Sequence, residues 1–215
     1  MRVVQLKLTS FPALAVVACL TLGALARGAS SPVPHDSPPD VAFLDMMILH
    51  HRQGVEMVRL AEMKGQLPRL REFAANAAAH QEQDIKKLRE IREQLYRHVE
   101  KADAIRLGAR RMTMQEMRHA AEEAMKKLEA ASGREFDRTF LDAFTKHHQL
   151  AIQMAKETLS KGQAAEVKRE AQKTIDTQSQ EIEEMAQMRD TSSAGERPQP
   201  VERGRPRRAR APGHK

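Results

Sequence analysis

The chain contains a repeat of itself. Phe43-Leu44-Asp45, His50-His51 and Met57 recur as Phe140-Leu141-Asp142, His147-His148 and Met154, at a constant offset of 97 residues. Asp40 maps onto Asp137 and Val55 onto Ile152 at the same offset. The correspondence then continues into the following segment, where Gln81, Gln83, Asp84, Ile85 and Leu88 meet Gln178, Gln180, Glu181, Ile182 and Met185. An offset held across two segments and the connection between them makes the repeating unit a pair of consecutive elements. The repeat halves span about 40–100 and 137–189.

Composition says what those elements are. Aromatic residues make up 3% of the chain against 40% hydrophobic, with no Trp, one Tyr, six Phe and twelve Met. A core built from Leu, Ala, Ile, Val and Met suits helices, and the shortage of aromatics excludes a β-sandwich or barrel. Helix A is expected from near Asp40, whose carboxylate can cap the first turn, to Lys64-Gly65, with Gly65 as the left-handed residue after its end. Helix B opens at Pro68, a residue suited to a first turn, and runs to about 98–106. Thr113-Met-Gln-Glu116 and Ser132-Gly-Arg-Glu135 each fit a capping box, placing a short helix C over about 113–131 and helix D over about 133–161, ended by Gly162. Helix E runs to about Arg189. The expected fold is all-α: an antiparallel four-helix bundle formed by a duplicated helical hairpin, with a short bridging helix.

Both ends read differently from the body. Residues 1–26 carry Arg2 and Lys7, then an apolar stretch from Phe11 to Leu25, then Ala24-Leu25-Ala26, the pattern of a secretory signal peptide. Its removal leaves no cysteine, since the only one is Cys19, and so no disulfide, cysteine-zinc or thiol chemistry. Lipidation at Cys19 is disfavoured because the apolar run continues past it, and an uncleaved anchor because a span needs about 20 apolar residues. Residues 27–39 form a linker. Residues 191–215 hold four Pro and seven basic against two acidic residues without apolar periodicity, and read as a disordered tail suited to touching anionic surfaces. The remaining 27–190 segment balances 27 basic against 27 acidic residues, so no specific nucleic-acid partner is indicated. The pattern is compatible with a homo-oligomer.

Read at about 100° per residue, Phe43, Met47, His50, Gly54, Met57 and Ala61 form the inner stripe of helix A, with His51 at its edge and Asp45, Arg52, Glu56 and Arg59 opposite. Helix D repeats this with Phe140, Phe144, His147, Ala151 and Met154 inward and His148 at the side. Helix B carries Gln81 and Asp84 within the apolar stripe Leu70, Phe73, Ala77, Leu88, Ile91 and Leu95. Helix E carries Gln178 and Glu181 between Val167, Ala171, Thr174, Met185 and Met188. Buried polar groups without partners cost about 1–3 kcal/mol each, so something must satisfy them. One solution is structural: His50 pairing with Asp84, or its repeat counterpart, and His147 with Glu181. The other is a metal site drawn from His50, His51, Met47, Met57, Asp84, His147, His148, Met154 and Glu181. Imidazole with thioether favours copper, above all Cu(I), whereas imidazole with carboxylate admits zinc, iron or Cu(II).

The segments 43–57, Met112–Met117 and 133–155, with their doubled His-His, resemble the domain of unknown function 305 family over about 40–189. The resemblance implies a ferritin-like bundle in a mostly exported family associated in some members with copper. It implies metal-related roles at His50, His51, Met57, His147, His148 and Met154. Enzyme signatures do not compete with this. A di-iron site needs Glu-x-x-His from two helices, and the chain offers only Glu116-x-x-His119. No His-Glu-x-x-His, Gly-x-Ser-x-Gly or phosphate-cradling glycine motif occurs. The expected function is an exported copper-binding scavenger, buffer or carrier without catalytic activity. The alternative is a metal-free structural or partner-binding bundle whose buried histidines only specify the fold.

Overall fold

The structure, a computed structural model, describes residues 37–194, with side chains as far as residue 190. The expected signal peptide, most of the linker and the tail beyond 194 lie outside the described residues. Among them are five helices, α1 Pro39–Lys64, α2 Pro68–Tyr96, α3 Met114–Ala130, α4 Gly133–Lys161 and α5 Ala165–Ala194. A two-stranded sheet, β1 Ala104–Leu107 and β2 Arg110–Thr113, precedes α3. The bundle is mostly helical, with α1 packed on α2, α4 on α5, and α1 on α4 between the hairpins. No helix among the described residues is long and apolar enough to cross a membrane.

Several ends differ from expectation for identifiable reasons. Asp40 does not cap its own helix. Its carboxylate instead accepts the backbone amides of Gln163 and Ala164 and the Tyr96 hydroxyl, so the start of α1 lies against the end of α4 and the two run antiparallel. Gly65 has φ −56°, not a left-handed value; the α1–α2 turn is held by outside acceptors and needs none. Helix α2 stops at Tyr96, short of 98–106, because Arg92 ties its end down. The guanidinium donates to the carbonyls of Tyr96, Val99 and Glu100 and pairs with Asp45 at 3.0 Å. Asp45, expected on the outer face, is therefore buried, and its second oxygen accepts the Ala102 amide.

The chain leaving that anchor forms the unexpected hairpin, with Ile105 opposite Met112 and a two-residue turn opened by Gly108 at φ 64°. Its strands are four residues each, too short to stand out beside the helical periodicity. The Thr113 capping box forms, with the Glu116 amide donating to Thr113 Oγ1 at 3.1 Å and the Thr113 amide to Glu116 Oε2 at 2.7 Å. The Ser132 box does not form: Gly133 at φ 58° turns the chain between the serine and the first helical amides. Helix α5 continues past Arg189 and takes in 191–194, which the sequence assigns to the tail.

Helix α3 lies parallel to α1, since Gln53 Nε2 donates to the Met117 carbonyl and Lys64 Nζ to those of Leu128 and Glu129. The interior is layered along the bundle. One apolar cluster includes Phe43, Met47, Leu88, Met154 and Val167; the other includes Met57, Phe73, Phe140, Phe144 and Met185. Between them in sequence on all four long helices lie the buried polar residues His50, His51, Gln81, His148, Thr174, Gln178 and Glu181.

Candidate metal centre

Four imidazoles meet where α1 crosses α4. His50 and His147, related by the repeat, stack with ring centroids 3.6 Å apart, and His51 and His148 flank them at 6.2 and 6.1 Å. An aromatic column on α4 sets this arrangement: Phe136, Phe140 and Phe144 stack in succession, and Phe144 lies 5.5 Å from His147 and 4.3 Å from His148. Spacing of about four residues places these rings one above another on a helix.

Carboxylates reach the second histidine of each pair, which corrects the expected pairing of Asp84 with His50 and Glu181 with His147. His148 Nε2 donates to Glu181 Oε2 at 2.6 Å, and His51 Nε2 stands 3.6 Å from Asp84 Oδ2. His51 and His148 are fully buried rather than at the edge, because α2 and α5 close over that flank of α1 and α4. His147 is half-buried and its Nε2 donates to the His50 carbonyl at 3.2 Å.

These contacts fix which nitrogens stay open. A ring nitrogen facing a carboxylate or carbonyl carries the proton, leaving the other with a lone pair. His147 Nδ1 and His148 Nδ1 are then buried lone pairs without partners, as is His51 Nδ1 when its Nε2 faces Asp84. Both nitrogens of His50, both amide atoms of Gln81 and Gln178 Oε1 are also unpartnered. Orphaned polar atoms thus concentrate in the one layer where burial makes them costly.

Charge follows the same logic. Burial, reinforced by the neighbouring imidazoles, holds His50 and His147 well below the usual histidine range. Burial also lowers His148, against the opposing pull of Glu181. Burial alone would raise Glu181 and Asp84. Contacts with His148 and His80 for Glu181, and with His51 and Lys173 for Asp84, outweigh it and lower both carboxyls. His50, His147 and His148 are therefore neutral rings in a layer backed by ionised carboxylates, the electronic arrangement in which imidazole ligates a cation.

Met57 joins His50 and His147 in lining a cleft of about 440 Å³ between α1, α3 and α4, to which α3 adds Met117. Met47 and Met154 lie together in the first apolar cluster instead. Among the described residues, no group of three or more His, Cys, Asp or Glu side chains is already arranged to hold a metal ion. Two partners escaped the sequence reading. His80 Nδ1 lies 3.3 Å from Glu181 Oε1, and Lys173 Nζ lies 2.6 Å from Asp84 Oδ1. Their repeat counterparts are Thr177 and Asn76, so self-similarity gave no signal for either.

A family profile described as a domain of unknown function, DUF305, matches residues 40–189. Among solved structures, CopM in the Cu(II)-bound form is similar at 26% identity with a TM-score of 0.56, covering 71% of this chain and 97% of that one. CopM in the Cu(I)-bound form is similar at 25% identity, TM-score 0.56, over 71% and 96%. A DUF305 fragment from Deinococcus radiodurans shares the fold at 21% identity and TM-score 0.59, over 74% and 99%. No curated protein matches the chain.

Proposed function

The chain belongs to the DUF305 family, and from that premise we propose that it binds copper as cargo, in the role of an exported scavenger, buffer or carrier. The observation that carries this reading is the set of buried imidazole nitrogens left without partners at the α1–α4 crossing. Neutral imidazole suits both copper oxidation states, and the thioether of Met57 beside His50 and His147 favours Cu(I). The same chemistry admits zinc or iron less well, because among the described residues no carboxylate pairs with His50 or His147, although Glu123 and Asp142 share their cleft. CopM, similar over 71% of this chain, was solved with Cu(II) and with Cu(I), which supports copper over the other metals.

In this reading His50, His51, His147 and His148 supply the ligating nitrogens and Met57 a thioether. Asp84 and Glu181 act behind the rings, holding their Nε2–H groups and raising ligand basicity. Loading requires the His50–His147 stack to open, since the rings do not converge on a single point as they stand. Met47 and Met154 fill core, and the role includes no catalytic step. Copper retention by the purified full chain tests the proposal. One-to-one or higher retention should be lost in His50→Ala/His147→Ala while helical circular dichroism persists.

The second reading is a metal-free bundle, and the 2.6 Å His148–Glu181 bond favours it, because a buried bond of that kind, echoed by the looser 3.6 Å contact of His51 with Asp84, fixes helix register by itself. It predicts the opposite result: the double variant loses its helical signal or its cooperative melt, and copper uptake by the parent is absent or unchanged.

A further inference from the structure

A second cleft, of about 400 Å³, lies on the far side of α1, bounded by α2, α3 and the segment after α2. Arg52, Arg89, Lys101 and Arg118 line it, one from each of these four pieces of chain. None of the four makes an ion pair among the described residues; Arg118 touches only Met114 Sδ, at 3.7 Å. The two carboxylates in the lining are already committed. Asp45 is taken by Arg92 and the Ala102 amide, and Glu93 by Arg97 at 3.3 Å. Arg92 in turn is saturated by Asp45 and backbone carbonyls, which makes it a fixed base to the cleft rather than a free donor.

This is a local excess of positive charge in a body whose basic and acidic residues balance. The first residue of α3, Met114, also lies in the lining, but that helix start is already capped by Thr113 and Glu116, so the field comes from the four side chains. Like charges gathered from four segments repel, and a multivalent anion between them reverses the sign of that interaction. Three guanidinium forks match oxyanions in pairs of parallel hydrogen bonds. Ile48 and Leu49 supply an apolar side.

We propose that this cleft binds a small multivalent oxyanion, of phosphate or polycarboxylate type, independently of the histidine layer.

Isothermal titration of the purified full chain with inorganic pyrophosphate and with citrate, without added metal, tests it and separates the two sources. Saturable one-to-one binding of either is expected, weakened about tenfold or more by Arg52→Gln/Arg89→Gln. The equal charge loss Lys156→Gln/Arg169→Gln, placed outside the cleft on α4 and α5, should leave it unchanged. Absence of saturable binding by both anions, or equal weakening by both double variants, overturns the proposal. Helical circular dichroism accompanies each variant; if the arginine pair loses it, Lys101→Gln is judged by the same criteria.

Discussion

Asp40 and Asp137 each fasten the other repeat's interhelical turn. Asp40, at the start of α1, accepts the amides of Gln163 and Ala164 between α4 and α5. Asp137, in the early turns of α4, accepts those of Gln66 and Leu67 between α1 and α2 at 2.9 and 3.0 Å. Both carboxylates are 3% exposed. The two clasps are repeat images of one another and pin antiparallel α1 and α4 at both ends, which holds the histidines of the two copies face to face. Glycine at 162 belongs to the same device, because a Cβ there would collide with Asp40 Oδ1.

Removing either clasp strands partly buried turn amides beside the buried carboxylate site. Asp40→Ala and Asp137→Ala should each lower unfolding free energy by about 2 kcal/mol or more in urea titration. The two sites sit near opposite ends of a helix roughly 39 Å long, so their effects should add within about 0.5 kcal/mol. Unchanged stability in either single variant would contradict the assignment.

Tyr96, the single tyrosine, reports on the Asp40 clasp directly. Burial first, then the hydrogen bond to Asp40 and its charge, push the phenol up to about 12. A pKa raised above the unfolded value gives stability that is complete below about pH 10 and lost as pH rises through about 12. Ultraviolet difference absorbance should show one late titration, moved down in Asp40→Asn. A phenol titrating near pH 10 in the parent would refute it.

Gly54 and Gln81 should be coupled. A Cβ at Gly54 would collide with the Gln81 amide oxygen, whereas the repeat position is an alanine, Ala151. Gly54→Ala should therefore destabilise by about 1–3 kcal/mol, and Gln81→Ala in the same chain should recover most of it. Additive losses in the double-mutant cycle would show that the two do not touch.

If the histidine layer holds copper, the carboxylates behind it tune affinity unequally. Glu181→Gln should weaken copper about 10–100-fold, and Asp84→Asn less, because the Glu181 contact is 2.6 Å and the Asp84 contact 3.6 Å. Competition against a copper chelator measures both. Equal, negligible effects would place the carboxylates in fold maintenance alone.

The 97-residue offset made the helical pairs legible in the sequence, helical periodicity the burial of His50, Gln81, Gln178 and Glu181, and the Thr113 capping box the start of α3. Those features rest on local periodicity and self-similarity, and both are written along the chain. The offset also placed His147 in the second half where His50 stands in the first. It could not say that they would meet each other, because that depends on a symmetry relation between copies rather than on spacing within one.

Tertiary structure decided the rest. A helical wheel assigns one inner face, yet α1 is covered by α2, α3 and α4 together, so Asp45 and His51 went inward and Asp84 reached His51 instead of His50. Arg92 ended α2 through contacts with a loop and with α1, and the short hairpin followed from that anchor. Sequence determines which faces are apolar because side-chain direction is set by backbone period. Which polar group on a buried face finds which partner depends on distances between separate helices, and only packing sets those.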